Sequence, residues 1–146
     1  MAAVEVFSLN SNFRKFEGRI RRTAMPVLRY LGKENCYLEI YLVPDKKMRF
    51  LNKKFRGKDK TADVLSFNEQ KNFIYPPSRK RRLGEIYLNL PLIRRQANGD
   101  FEAALVRLLI HGFLHLLGYT HNRKNDRIKM EKQEAKLLRL LNRSTH

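Results

Sequence analysis

The run from Phe101 to Leu117 constrains this chain most. It is apolar on nearly every side, and a helix apolar all round belongs inside a protein. Asp100 is placed to cap it, and Glu102 falls in the first turn, where the helix dipole favours an anion. Two histidines, His111 and His115, ride on this segment, and a third, His121, follows within six residues. The chain has only four histidines in all, so the clustering asks for a reason. A buried imidazole needs a partner for each ring nitrogen. A metal ion satisfies three converging rings most simply.

The spacing supports that reading. Residues four apart on a helix project from one face, one turn apart. Gly118 lies just past the last apolar turn and can take the left-handed conformation that ends a helix. The chain then turns back, so His121 can reach the same ion from a loop. Three neutral imidazoles leave a fourth position open for water, the arrangement of catalytic rather than structural zinc. One zinc ion is therefore expected, favoured over nickel or copper by availability. The same spacing occurs in zinc peptidases as His-Glu-x-x-His-x-x-Gly-x-x-His, where the glutamate is the general base. Here Gly112 stands in its place, which argues against peptide hydrolysis. Met130 reads as a core residue of the last helix, not as a Met-turn.

The remaining segments supply a scaffold. Val4–Leu9 reads as a first strand. Asn12–Leu31 reads as a helix, with Ile20, Ala24, Val27, Leu28 and Leu31 at helical spacing, and Pro26 should kink or divide it. Tyr37–Val43 alternates as a strand. Asp45 is expected to cap a helix from Lys46 to Phe55 whose inner face is Met48, Leu51, Asn52 and Phe55, closed by Gly57. Asp63–Phe67 and Gly84–Leu90 read as strands. Pro91 suits the first turn of a short helix, Leu92–Ala97. Asn125 or Asp126 can cap a last helix running to about Leu141, with Met130, Leu137, Leu138 and Leu141 inward. The stretch from Asn68 to Arg82 reads as a loop. Its run Arg79-Lys80-Arg81-Arg82 suits either a phosphate grip or a solvated turn.

Charge points to the partner. There are 31 Lys+Arg against 14 Asp+Glu in 146 residues, a formal charge of +17. Such an excess attracts polyanions, nucleic acid first and anionic membrane surface second. The length suits one domain, taken as residues 1–146. Cys36 is the only cysteine, which excludes an intrachain disulfide and a thiolate zinc cluster. No signal peptide is apparent, and no apolar run is long enough for a transmembrane helix, so a cytoplasmic protein is expected.

The motifs together resemble a known family. His-Gly-x-Leu-His-Leu-x-Gly-Tyr-x-His, over 111–121, is similar to the signature of the YbeY family of metal-dependent endoribonucleases. Met48-Arg-Phe-Leu-Asn52-Lys-Lys-Phe55-Arg56 resembles its Leu-Asn-x-x-Tyr-Arg segment. Asp63-Val-Leu-Ser-Phe67 and Leu83-Gly-Glu-Ile86 resemble two of its strands, and Met130 with Glu134 fits its C-terminal helix. The resemblance covers about residues 35–141. It implies an α/β (α+β) fold, a small mixed sheet of about four strands covered by helices around a central metal-bearing one. It implies a single-strand-specific endoribonuclease acting in ribosomal RNA maturation and ribosome quality control, with ribosomal subunit proteins as partners. His111, His115 and His121 would hold the zinc, and Arg56 and His111 would be the catalytic residues. A guanidinium at position 56 can bind phosphate bidentately and offset charge in phosphoryl transfer. Two positions depart from the pattern: Thr120 stands where the family has Asp, and Ala62 where it has Thr, with Thr61 one place early. A metal-stabilised, non-catalytic RNA-binding assembly factor is the alternative reading. A zinc peptidase relative is a third, disfavoured by Gly112.

Overall fold

In a computed structural model, described over residues 4–68 and 81–144, four strands form one mixed sheet in the order β1-β2-β4-β3. These are β1 (Val4–Ser8), β2 (Cys36–Val43), β3 (Val64–Asn68) and β4 (Arg81–Asn89). β1, β2 and β4 run parallel, and β3 lies antiparallel on the edge beside β4. Parallel neighbours need crossover connections, and helices supply them. A 3-10 turn (Ser11–Phe16) and α1 (Glu17–Tyr30) join β1 to β2, and α2 (Asp45–Arg56) follows β2. The expected α+β architecture with a mixed four-stranded sheet is the one observed.

Alternation decides which face each strand residue covers. Leu38, Ile40 and Leu42 of β2 are fully buried on one face, with Val4, Val6, Ile86 and Leu88 beside them. Against this face lie α1 and α4 (Phe101–Leu116), with α5 (Lys124–Ser144) packed on those two helices, giving the main core. Val43 points the other way and meets Met48 and Leu51 of α2 and Leu65 of β3 in a smaller cluster. The short α3 (Leu90–Gln96) leads from β4 toward α4, with Asn89 accepting from the Leu92 amide as its cap.

Helix α4 buries most of its surface, leaving Glu102, Ala103 and Arg107 exposed. Leu105, Leu109, Ile110, Phe113, Leu114 and Leu116 are all buried. Asp100 caps it as expected, accepting from the Ala103 amide at 3.1 Å. Two glycines allow it to lie close on the sheet. A Cβ on Gly112 would sit 3.0 Å from Ile86 Cγ2 and 3.1 Å from Ser66 Oγ. Gly84, at φ 149°, has the Phe67 carbonyl oxygen only 2.4 Å from where a Cβ would be.

Several sequence expectations need correction. Pro26 neither divides nor ends α1; the break lies ten residues earlier, where the 3-10 turn meets the α-helix. The carbonyl that Pro26 leaves without an amide donor belongs to Arg22, an exposed residue, so water can satisfy it, while four buried side chains hold the helix on the core. Asp45 is the first residue of α2 rather than its cap, which is Pro44 without a side-chain bond. Its carboxylate is taken by Arg95, Asn89 and Thr61 instead. Phe55 is exposed, because the inner face of α2 is filled by Met48, Leu51 and Asn52. Arg81 and Arg82 belong to β4 rather than to a loop, and Arg82 pairs with Glu39 and Glu85 on the sheet. Arg79 and Lys80 lie outside the described residues. Among the described residues, no helix is long and apolar enough to cross a membrane.

Candidate metal centre

The C-terminal half of α4 carries His111 and His115 one turn apart on the same side. Leu117 caps the helix, and Gly118 at φ 96° takes the positive-φ conformation that turns the chain back. His121 then stands in the short connection before α5. The three rings meet, with centroids 4.5, 4.7 and 4.8 Å apart. One ligand nitrogen from each lies within 4.8 Å of the others. His111 and His115 are partly buried and His121 is exposed, so the cluster opens to solvent on one side.

The protonation pattern fits a cation. His111 Nδ1 lies 3.1 Å from Glu134 Oε1 on α5. A carboxylate there holds the proton on Nδ1 and leaves the Nε2 lone pair facing inward. His115 Nε2 lies 2.9 Å from that same nitrogen. Two such nitrogens attract only through a shared proton or a cation. The pKa of His115 is pushed down to about 4, first by burial, then by His111, His121 and Arg56. A neutral imidazole is the form that ligates metal. The three converging nitrogens, all within 4.8 Å of one another, would hold a zinc ion. The donor set, three imidazoles and no thiolate, suits zinc with an open position.

Arg56, the last residue of α2, lies along β3, with Nη2 donating to the Ser66 carbonyl at 3.3 Å and its guanidinium over the Phe67 ring at 5.9 Å. It is close enough to His115 for its charge to lower that pKa. Ser66 serves both sides, since its hydroxyl donates to the Gly112 carbonyl of α4 at 3.0 Å. The loop between α2 and β3 is pinned from beneath by buried Asn52, which donates to the Lys60 carbonyl at 2.9 Å. Gly57, at φ 69°, starts that loop.

Residue 112 faces the sheet, toward Ile86 and Ser66, and not the histidine cleft. A side chain here would have to displace Ile86 or Ser66, so the close packing of α4 on the sheet favours glycine. The cleft in front of His111 and His121 is lined instead by Asp63, Arg107, Arg127, Glu131 and Glu134. The carboxylate beside a ligand ring is that of Glu134, twenty-three positions beyond His111. Sequence reasoning placed Glu134 in a motif without a role, and it missed Ser66. The signal for Glu134 was its position one turn after Met130, on the face of α5 turned toward α4. Thr61 keeps a bonded hydroxyl despite its shift by one position, accepting from Asn89 Nδ2 at 2.9 Å.

Comparison with known proteins agrees with this geometry. The family model described as Endoribonuclease YbeY matches residues 7–142. The chain is 41% identical over 124 residues to an Endoribonuclease YbeY of Anaeromyxobacter dehalogenans, covering 83% of this chain and 62% of that protein. It is 37% identical to one of another Anaeromyxobacter strain, covering 93% and 70%. It is 38% identical to one of Leptospira interrogans, covering 76% and 91%. The chain thus spans less than two thirds of the first of these relatives. A solution structure of a Thermotoga maritima protein shares the fold, with a TM-score of 0.58 at 23% identity, over 97% of this chain and 93% of that one.

Proposed function

The chain belongs to the YbeY endoribonuclease family, and from that premise we propose that residues 1–146 act as a zinc-dependent endoribonuclease on single-stranded RNA. Its place would be ribosomal RNA maturation and ribosome quality control in the cytoplasm, beside ribosomal subunit proteins. One observation carries the reading: three imidazoles converge with an Nε2 pair turned inward, and the guanidinium of Arg56 lies within electrostatic reach of them.

His111, His115 and His121 would hold the ion. When bound, a zinc ion supplies Lewis-acid polarisation of a phosphoryl oxygen. The protein's own residues do the rest. Glu134 keeps the His111 proton on Nδ1 and the ring in place. Ser66 fixes the helix carrying the histidines against the strand carrying Phe67. Arg56 binds the scissile phosphate and offsets the charge that grows on its oxygens as the bond to the leaving oxygen breaks. Exposed Lys54, Lys58 and Lys60 flank Arg56 and draw in the RNA backbone.

The test is cleavage of a labelled single-stranded RNA, with a duplex of the same sequence as control. Zinc-loaded protein is expected to cut the single strand. Chelator and His115→Ala should each abolish cutting, and Arg56→Ala should slow it about 100- to 1,000-fold. Undiminished cutting in chelator and in His115→Ala overturns the reading. If chelation lowers the melting temperature while RNA is bound but never cut, the protein is a metal-stabilised RNA-binding factor.

A further inference from the structure

Residues of α1, the first turns of α4 and the last turns of α5 enclose a groove of about 1120 Å³. Glu134 meets His111 while Leu138 lines this groove with Val106, so α4 and α5 run in opposite directions. Ala103 in the groove lies twelve residues before His115, about 18 Å along α4 at 1.5 Å per residue. At its near end Val106 adjoins Arg107 of the histidine cleft, but the two linings share no residue. Its apolar lining comes from Met25, Pro26, Val106 and Leu138. Its charged rim is four arginines, Arg19, Arg21, Arg22 and Arg29, against two carboxylates, Asp100 and Glu102. Arg19 is tied to Glu102 at 2.5 Å, but Arg21, Arg22 and Arg29 form no salt bridge among the described residues.

We infer that this groove docks an acidic amphipathic segment of another protein. Three unpaired guanidiniums around an aliphatic floor match a helix that presents Leu-like side chains on one face and carboxylates beside them. The volume is ample for several such side chains. A second copy of this chain is a poor occupant, because each copy carries a formal charge of +17. RNA shares the sign of charge but not the rest. Unpaired bases need aromatic platforms, and among the described residues no aromatic ring lines the groove. The aliphatic floor offers a base neither stacking nor hydrogen bonds. The inference does not depend on the metal site.

Fluorescence anisotropy of labelled peptides on the full chain tests it. The probe is a Glu/Leu amphipathic helical peptide of about five turns. A scrambled peptide of the same composition, a Lys/Leu counterpart and an oligouridine are the comparisons. The acidic amphipathic peptide should bind saturably, at least tenfold more tightly than its scrambled form. Arg22→Glu/Arg29→Glu should weaken it at least tenfold, and Arg56→Ala should leave it unchanged. Both arginines are exposed, so the reversal leaves the core alone; Arg22→Gln/Arg29→Gln gives a milder second variant with the same expected direction. Equal binding of the scrambled peptide, or no saturable binding, overturns the inference. So does a charge-reversed variant that loses oligouridine but keeps the peptide, which would make the groove an RNA surface.

Discussion

Glu134 comes to His111 from a different helix, and its carboxylate decides which ring nitrogen is bare. Glu134→Gln keeps an acceptor oxygen but removes the charge, and Glu134→Ala removes both. Zinc affinity should fall about 10-fold in the first and up to about 100-fold in the second, measured by competition with a chromophoric chelator. Equal affinity in all three proteins would show that Glu134 does not orient the ring. The histidine triad was legible in the sequence because it is local: a helical i, i+4 pair, one glycine turn, one more histidine. Glu134 and Ser66 were not, because each contributes through a contact made across the fold, at separations of 23 and 46 residues. Gly112 was half legible. The missing glutamate could be read, but not that the position faces Ile86. Gly84 is the less forgiving glycine. Gly84→Ala brings a Cβ to a backbone oxygen at 2.4 Å in a positive-φ conformation, and should cost roughly 3 kcal/mol or more in urea unfolding.

Between elements, one polar node ties the start of α2 to the end of β4. Asn89 is fully buried, and its Nδ2 donates to Asp45 at 2.7 Å and to Thr61 at 2.9 Å. Its oxygen caps α3 through the Leu92 amide at 3.2 Å. Asn89→Ala strands these partners at once and should cost about 1–3 kcal/mol. Asp45 adds a pH dependence. Arg95 chiefly, and then Asn89, hold its carboxyl below the ordinary value of 3.8. A carboxyl depressed in the native state stabilises fully above its unfolded pKa, and that contribution fades as pH falls through the lower native value. The stability gap between the native chain and Asp45→Asn should therefore be present at pH 7 and shrink below about pH 4, followed by urea unfolding across that range. A gap that stays constant down to pH 2 would show that the charge of Asp45 contributes nothing. This node also explains why the cap expectation failed. An aspartate before a helix usually serves its own amides, but here three partners from later in the chain compete for it. Pro26 does not divide α1, and Phe55 is not inward, for the same kind of reason. Local preference gave way to packing, with the buried face of α1 carrying it past a proline, and α2 too narrow a contact to cover a fourth side chain.

At the scale of the whole molecule, a charge of +17 attracts polyanions but does not say where one would bind. Alternation and helical spacing made the elements legible, while the strand order β1-β2-β4-β3 needed the long-range pairing that no local pattern records. The two arginine-bearing surfaces separate the charge into parts that can be measured apart. Each phosphate neutralised on a single strand contributes about −0.7 to the slope of log K against log salt. Six such contacts around Arg56 would make oligouridine binding fall about 300-fold between 50 and 200 mM salt. Lys54→Gln/Lys58→Gln, beside Arg56, should flatten the slope by about 1.4. Arg22→Glu/Arg29→Glu removes more charge from the molecule, yet lies on the groove whose lining includes none of the histidines and should leave the slope as it was. Net charge alone would predict the opposite ranking, with the double reversal costing most. The comparison of the two slopes thus decides whether RNA follows a path through the histidine site or the general field of a basic protein.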